Sequence, residues 1–222
     1  SGYGLTTEDE LKTLRVAARL AADPDLPRVV LTFLGAHAIP PEFAGDRAGY
    51  VRLVTDEMLP EVAAAGLAEF CDVFCDEGAF TREESETILD RAAGLGLGLK
   101  IHAEEFAATG GAALAASLGA ASADHLIAID EAGIEALADS GTVATVLPGT
   151  SFFLRLGHHA PARALADAGA ALAIATDFNP GSSMTQDLPL MAAFACCHMG
   201  LTIPESLRAI TVGAARALGR DD

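Results

Sequence analysis

Histidine and carboxylate side chains follow three apolar, strand-like segments of the chain. His102 comes directly after residues 98–101, Glu105 lies three positions later, and two later segments end at His125 and Asp177. In parallel α/β enzymes the catalytic groups sit where strands end and loops begin. Imidazole nitrogen and carboxylate oxygen are ligands of zinc- or iron-type metals, which can keep one position open for water. The three strand ends therefore predict a metal-dependent catalytic centre.

Each of these residues also has a purely structural interpretation. A lone His102 would be interpreted as a histidine that caps a buried strand by hydrogen bonding, and Asp124 beside His125 as the cap of a turn. The loop 178–183 after Asp177 offers backbone N–H groups that could bind an oxygen ligand, or it is a simple turn before a helix. Three strand ends with matching chemistry favour the catalytic interpretation over three separate structural ones.

Local signals predict where several elements begin and end. Thr81 with Glu84 forms a capping box that predicts the start of a helix. Apolar residues at helical spacing predict one continuous helix over residues 47–65. Residues 142–147 predict a strand that closes on the Pro-Gly pair at 148–149.

Apolar strands and helices alternate along the sequence, as in proteins whose helices cover a parallel sheet. About six such strands are predicted, whereas a closed (β/α)8 barrel needs eight in about 250 residues. A doubly wound open sheet is the rival, but no Gly-x-Gly-x-x-Gly follows the first strand and no phosphate loop occurs. We therefore predict an α/β fold, an incomplete TIM barrel, with residues 1–222 as one partial catalytic domain.

The composition narrows the classes of partner. Of the 222 residues, 51% are hydrophobic, which is enough for a sizeable core, and the formal net charge is −17. That charge argues against nucleic acid or an anionic membrane as a partner. Four cysteines fit no disulfide framework, and no signal peptide or apolar span of about 20 residues is visible. A soluble cytoplasmic protein with a small-molecule substrate is expected.

Seven stretches of the sequence together resemble one family, the imidazolonepropionases of the amidohydrolase superfamily. The resemblance is colinear and covers nearly the whole chain. The matching stretches are SGYGL (1–5), TFLGAHAIPPEF (32–43), VFCDEGAF (73–80), KIHAEE (100–105), SADHL (122–126), LPG (147–149) and ATDFNPGS (175–182).

The resemblance implies a barrel of the amidohydrolase type that opens the ring of 4-imidazolone-5-propanoate with water, giving N-formimino-L-glutamate in histidine degradation. It implies one divalent metal ion, zinc or iron, with His102 and Asp177 among its ligands. Glu105 would contact the substrate ring and help to orient the water. His125 would polarise the attacked carbonyl or shuttle a proton, and Asp177 would also accept a proton from the water.

The same resemblance implies the residues that bind the substrate. Tyr3 and His37, together with an arginine outside this sequence, would meet the propanoate carboxylate. Asn179, Gly181 and Ser182 would hold the far side of the substrate. A homodimer is implied for the full-length protein.

The sequence departs from the family in one respect, because it contains no His-x-His pair and lacks the small β-sandwich domain. It would therefore be the central part of a longer enzyme, would hold two of four metal ligands and would be inactive alone. Two alternatives stay open: another cyclic amidohydrolase or deaminase of the superfamily, and a non-catalytic partial barrel. Tyr3 with His37 favours the imidazolonepropionase interpretation over the other amidohydrolases and deaminases, since a ring that bears a carboxylate needs donors there and a nucleobase does not.

Overall fold

The computed structural model describes residues 1–220, in which strands and helices alternate along the chain. Six strands and eleven α-helices are formed within these residues, together with a 3-10 helix, Pro41–Phe43, and two π-helical segments, Val54–Met58 and Ala209–Gly213. The strands are β1 Thr32–Ala36, β2 Phe70–Cys75, β3 Gly98–Ala103, β4 Ser122–His125, β5 Val143–Val146 and β6 Leu172–Ile174. The helices are α1 Thr7–Ala21, α2 Arg47–Leu53, α3 Leu59–Ala64, α4 Arg82–Gly94, α5 Gly111–Leu118, α6 Glu131–Ala138, α7 Pro148–Phe153, α8 Ala162–Asp167, α9 Leu188–Met199, α10 Ile203–Arg208 and α11 Ala214–Ala217.

The six strands form one sheet in which their order follows the chain, from β1 to β6. The pairs β1–β2, β4–β5 and β5–β6 are parallel. Among residues 1–220 the sheet ends at β1 on one side and at β6 on the other. The predicted α/β class with about six βα units is confirmed. Within the same residues no helix combines the length and hydropathy that crossing a bilayer requires.

The chain divides into two compact units, Ser1–Lys100 and Ile101–Asp222. In the first unit the fully buried ring of Tyr50 packs near Phe43 and Phe80, and its hydroxyl donates to the carbonyl of Gly35 at 2.8 Å. In the second unit β5 is buried at every position, and β4 and β6 are each buried at all positions but one. The interpretation of residues 1–222 as one partial barrel domain stays a prediction.

The helix predicted over residues 47–65 is interrupted in the first unit. A π-helical turn, Val54–Met58, separates α2 from α3. Pro60 stands at the start of α3 and has no N–H to donate to the carbonyl of Asp56, so the regular hydrogen-bond ladder cannot continue there. The capping box is confirmed, because Thr81 and Glu84 bond each other's backbone at the start of α4.

The sequence patterns do not predict helix α7, because the Pro-Gly pair at 148–149 indicates a turn at the end of the fifth strand. Pro148 occupies the first turn of α7, where its missing N–H costs no hydrogen bond. Gly149 allows close packing, since a Cβ there would come within 2.8 Å of Ser183 Oγ and 2.9 Å of Met191 Sδ. This short helix brings Thr150 to the loop that follows β6.

Candidate functional site

The carboxyl ends of β3 and β4 bring together three of the predicted site residues in the second unit. The rings of His102 and His125 lie 5.2 Å apart between centroids, at an interplanar angle of 43°. His125 Nε2 approaches Glu105 Oε2 to 3.6 Å, which is slightly beyond a hydrogen bond. His125 and Glu105 are both buried, whereas His102 is partly exposed.

The backbone at these strand ends adopts left-handed conformations that L-residues rarely use. Glu104 has φ +56°, His125 has φ +79° and Leu126 has φ +60°. Such residues cost about 1–3 kcal/mol each and persist only where surrounding contacts hold them, often at active sites. Here the N–H of Leu126 donates to the carbonyl of Ala103 at 3.0 Å, and the N–H of Ala128 donates to the carbonyl of Glu104 at 2.8 Å. These hydrogen bonds fix the backbone on both sides of the strand ends and thereby the orientation of His125 at the end of β4.

His125 is held as a neutral imidazole. Burial lowers its pKa well below the ordinary value, and the nearby His102 lowers it further. Its Nδ1 atom is buried and has no hydrogen-bond partner among residues 1–220. A neutral, desolvated imidazole with an unused ring nitrogen can exchange a proton or a hydrogen bond with a bound molecule.

Asp124 adds a carboxylate that the sequence analysis interprets as a turn cap. It lies opposite Thr145 in the parallel pairing of β4 with β5. One of its oxygens and a ring nitrogen of His102 lie within 4.8 Å of each other, and both side chains are partly exposed. Imidazole nitrogen with carboxylate oxygen is a donor set that fits a divalent metal of the zinc or iron type. The available signal in the sequence is the position of Asp124 directly before a strand-end histidine.

Asp177 lies in the loop after β6 and is oriented by the helix that follows β5. The Thr150 hydroxyl donates to Asp177 Oδ2 at 2.6 Å, and Asp177 itself has φ +50°. Thr150 is fully buried, whereas Asp177 is partly exposed. The carboxylate therefore has one fixed oxygen and one face open to a ligand.

The three predicted substrate-binding residues after Asp177 form a compact turn. Asn179 Oδ1 accepts from the N–H groups of Gly181 at 2.8 Å and Ser182 at 2.7 Å. Asn179 Nδ2 donates to the carbonyl of Asp177 at 2.8 Å and to Ser182 Oγ at 2.9 Å. The side-chain amide thus organises the loop around Asp177, in the manner of an Asx turn.

The first unit brings the other predicted substrate-binding residues together. The rings of Tyr3 and His37 meet edge to face, with centroids 5.2 Å apart at 80°. His37 Nδ1 lies 2.8 Å from the carbonyl oxygen of Gly2. A carbonyl only accepts, so Nδ1 carries a proton and donates it. Tyr3 is 67% exposed, so its hydroxyl is available to a ligand.

Comparison with curated proteins identifies close relatives over the whole chain, although no protein-family model matches it. The chain is 53% identical to an imidazolonepropionase of Shouchella clausii over 220 residues, which cover 99% of this chain and 49% of the relative. It is 52% identical to one of Geobacillus kaustophilus, with 99% and 51% covered, and 50% identical to one of a Polaromonas species, with 100% and 52% covered. The chain thus spans about half the length of these relatives.

Solved structures with the same fold are more distant in sequence. An adenosine deaminase from Xanthomonas campestris with bound zinc superposes with a TM-score of 0.67 at 21% identity, covering 94% of this chain and 52% of that one. An amidohydrolase from a Sargasso Sea environmental sample gives a TM-score of 0.56 at 20% identity, covering 75% and 42%. At this identity the likeness shows only the fold, an α/β architecture that the chain shares with these two proteins.

Proposed function

Because the chain belongs by sequence to the imidazolonepropionase family, we propose that it forms part of an enzyme that hydrolyses 4-imidazolone-5-propanoate. Water adds to the ring carbonyl carbon, the C–N bond breaks, and the released nitrogen takes up a proton to give N-formimino-L-glutamate. The observation that carries the proposal is the group formed by His102, Glu105 and His125 at two adjacent strand ends. These are the positions at which the family resemblance requires catalytic groups.

The donor chemistry supports a divalent metal ion at this centre, and we propose zinc or iron. His102 and Asp177 would be two of its ligands, with the others supplied from outside this chain. The approach of Asp124 to His102 adds negative charge that favours a cation. When bound, such an ion would lower the pKa of a water molecule to about 7 and would polarise a carbonyl.

Three side chains of this chain would handle protons and orient the reacting groups. His125 stays neutral near pH 7, so it can donate a hydrogen bond to the ring carbonyl or transfer a proton. Glu105 would contact the substrate ring and orient the water. Asp177 would accept a proton, and the Thr150 hydroxyl would hold its carboxylate in one orientation.

Tyr3 and His37 would bind the propanoate carboxylate. Nδ1 of His37 donates to the carbonyl of Gly2, which fixes the imidazole ring beside the ring of Tyr3. Asn179, Gly181 and Ser182 would contact the far side of the substrate, and the internal hydrogen bonds of their turn support this role by fixing its shape.

A homodimer of the full-length protein and a cytoplasmic location accompany this proposal. The homodimer is implied by the family resemblance, whereas the cytoplasmic location and the expectation that nucleic acid is not a partner come from the composition and patterns of the sequence. The net charge of −17 over 222 residues argues against nucleic acid as a partner, because an acidic protein repels the phosphate backbone.

Steady-state turnover by the chain joined to its native flanking segments tests the proposal. The substrate is 4-imidazolone-5-propanoate, and the comparison substrates are the same ring with its carboxylate converted to an amide and a nucleobase with an exocyclic amine. We expect preference for the acid over the amide of about tenfold or more, because charged hydrogen bonds to the carboxylate would be lost. Turnover of the nucleobase alone would instead support the deaminase alternative, and a folded protein without any turnover would support a non-catalytic barrel.

A further inference from the structure

A buried carboxylate lies beneath the loop that carries Tyr3. Glu10, in the first turns of α1, is 0% exposed. Its Oε1 accepts from the backbone N–H groups of Gly4 at 2.8 Å and Leu5 at 3.0 Å, and its Oε2 accepts from Gly2 at 3.0 Å. A single side chain therefore satisfies three backbone donors within four consecutive residues.

The loop that these bonds hold is strained and tightly packed. Gly2 has φ +115° and Leu5 has φ +58°, conformations that L side chains rarely adopt. A Cβ on Gly4 would come within 2.8 Å of the backbone of Asp9. A backbone of this kind needs external hydrogen bonds to remain in one conformation, and an ionised carboxylate makes stronger ones than a neutral acceptor.

The same bonds fix both proposed donors to the substrate carboxylate. Tyr3 stands between Gly2 and Gly4, and Glu10 binds the N–H groups of both glycines. The carbonyl of Gly2 in turn accepts from His37, whose ring meets the edge of the Tyr3 ring. Gly2 is thus bonded to Glu10 through its N–H and to His37 through its carbonyl.

We propose that Glu10 is a positioning residue for the substrate carboxylate. It does not contact the substrate itself, since its side chain is fully buried. It holds the loop 2–5 so that Tyr3 and His37 present their donors to the same anionic group, and it thereby sets the preference for ring substrates that bear a carboxylate. This role rests on the function proposed above.

The variant Glu10→Gln in the full-length protein tests the role. Glutamine has the same shape, but it keeps one acceptor oxygen and replaces the other by an NH2 donor, so the bond that Gly2 makes to Oε2 is lost and only its longer contact to Oε1, at 3.2 Å, could remain. We expect KM for 4-imidazolone-5-propanoate to rise about tenfold while kcat stays within about twofold of wild type. Glu8→Gln is the matched control, because Glu8 is exposed on the same helix and loses the same charge.

A binding measurement separates an effect of Glu10 on substrate recognition from an effect on protein stability alone. Dissociation constants are determined for imidazole-4-propanoate and for its amide, with wild type, Glu10→Gln and Glu8→Gln. The proposal requires the preference for the acid to fall in Glu10→Gln only. An unchanged KM and an unchanged preference, with a lower melting temperature, would overturn it, and so would a loss in kcat alone.

A second variant covers the case in which Glu10→Gln does not fold. Adding Leu5→Gly relieves the left-handed conformation at residue 5, because glycine adopts it without strain. The double variant is judged by the same KM and binding criteria. If the wild-type protein does not turn over 4-imidazolone-5-propanoate, the proposed function and this inference are both refuted. If the wild-type protein turns it over and Glu10→Gln has the same KM and the same preference for the acid, the inference alone is refuted.

Discussion

The loop 2–5 of the first unit and the ends of β3 and β4 in the second unit both depend on left-handed backbone, but they stabilise it differently. In the loop Gly2, Gly4 and Leu5 donate to one buried carboxylate, that of Glu10. At the strand ends the strained residues are held by backbone bonds such as that from Leu126 to Ala103. A polar atom of His125, Nδ1, has no hydrogen-bond partner in the described part of the chain.

On the function proposed above, this difference separates a region that binds the substrate from a region that acts on it. A loop with three backbone N–H groups bound to one carboxylate keeps a fixed shape, which suits recognition of a ligand. A buried imidazole with an unused nitrogen costs stability, and such a cost is typical of groups that act on a substrate. Variants of the two regions should therefore affect different kinetic constants.

The largest effect on turnover among variants that keep the metal is expected from His125→Gln. Loss of a general acid–base group costs about 10²–10⁴ in rate, and we expect kcat to fall by at least about a hundredfold with KM within about threefold. His158→Gln is the control, because His158 is an exposed histidine of the same unit. A kcat within twofold of wild type would remove His125 from the chemistry and with it the contrast with the loop.

A smaller effect is expected from Thr150→Val, which removes the hydrogen bond to Asp177 Oδ2 but keeps the side-chain shape. We expect kcat to fall about tenfold, since the carboxylate would lose its fixed orientation. Thr211→Val supplies the comparison, because Thr211 is exposed and bonds only backbone carbonyls of its own helix. Equal kinetics for the two threonine variants would show that Asp177 needs no orienting hydroxyl.

The smallest effect concerns charges at the surface, outside both regions. Glu205 accepts from Arg163 at 2.9 Å and caps α10 with Thr202, and these hydrogen bonds lower its pKa to about 2. A lowered pKa means that the folded state keeps the carboxylate ionised longer than the unfolded state does, whose value lies near 4.5. The contribution to stability is therefore present above about pH 4.5 and is lost as the pH falls toward 2.

Thermal unfolding of wild type and Glu205→Gln across this pH range gives the measurement. The variant should be slightly less stable at pH 7, and the difference should shrink as the pH falls below about 4.5. A difference that grows on acidification would mean that the ion pair is not its source.

Sequence patterns predicted the regular parts of the fold because these depend on local signals. The capping box at Thr81 and the strand that ends near His102 rest on spacing within a few residues, and both are present. Helix α7 was missed because Pro148 and Gly149 are typical of turns, and only the packing of Gly149 against Ser183 makes the helix favourable. The approach of Asp124 to His102 could not be predicted from local patterns either, because the two residues lie on separate strands.

The position of Glu10 shows the limit most clearly. In the sequence it is one of three acidic residues in the first turns of a helix, where acids commonly stabilise the helix dipole. Its burial beneath the loop depends on a fold-back of residues 2–5 that no periodicity records. The predicted roles of the site residues remain predictions, since geometry alone supports them.

The most direct test of the hydrolase account is His102→Ala in the full-length protein, with metal content and turnover of 4-imidazolone-5-propanoate measured on the same samples. His158→Ala serves as the matched control. The account predicts that His102→Ala folds, loses most of its bound divalent metal and loses at least about a thousandfold in kcat/KM, since His102 would no longer hold an ion that activates water. Full metal content with wild-type turnover in His102→Ala would contradict it.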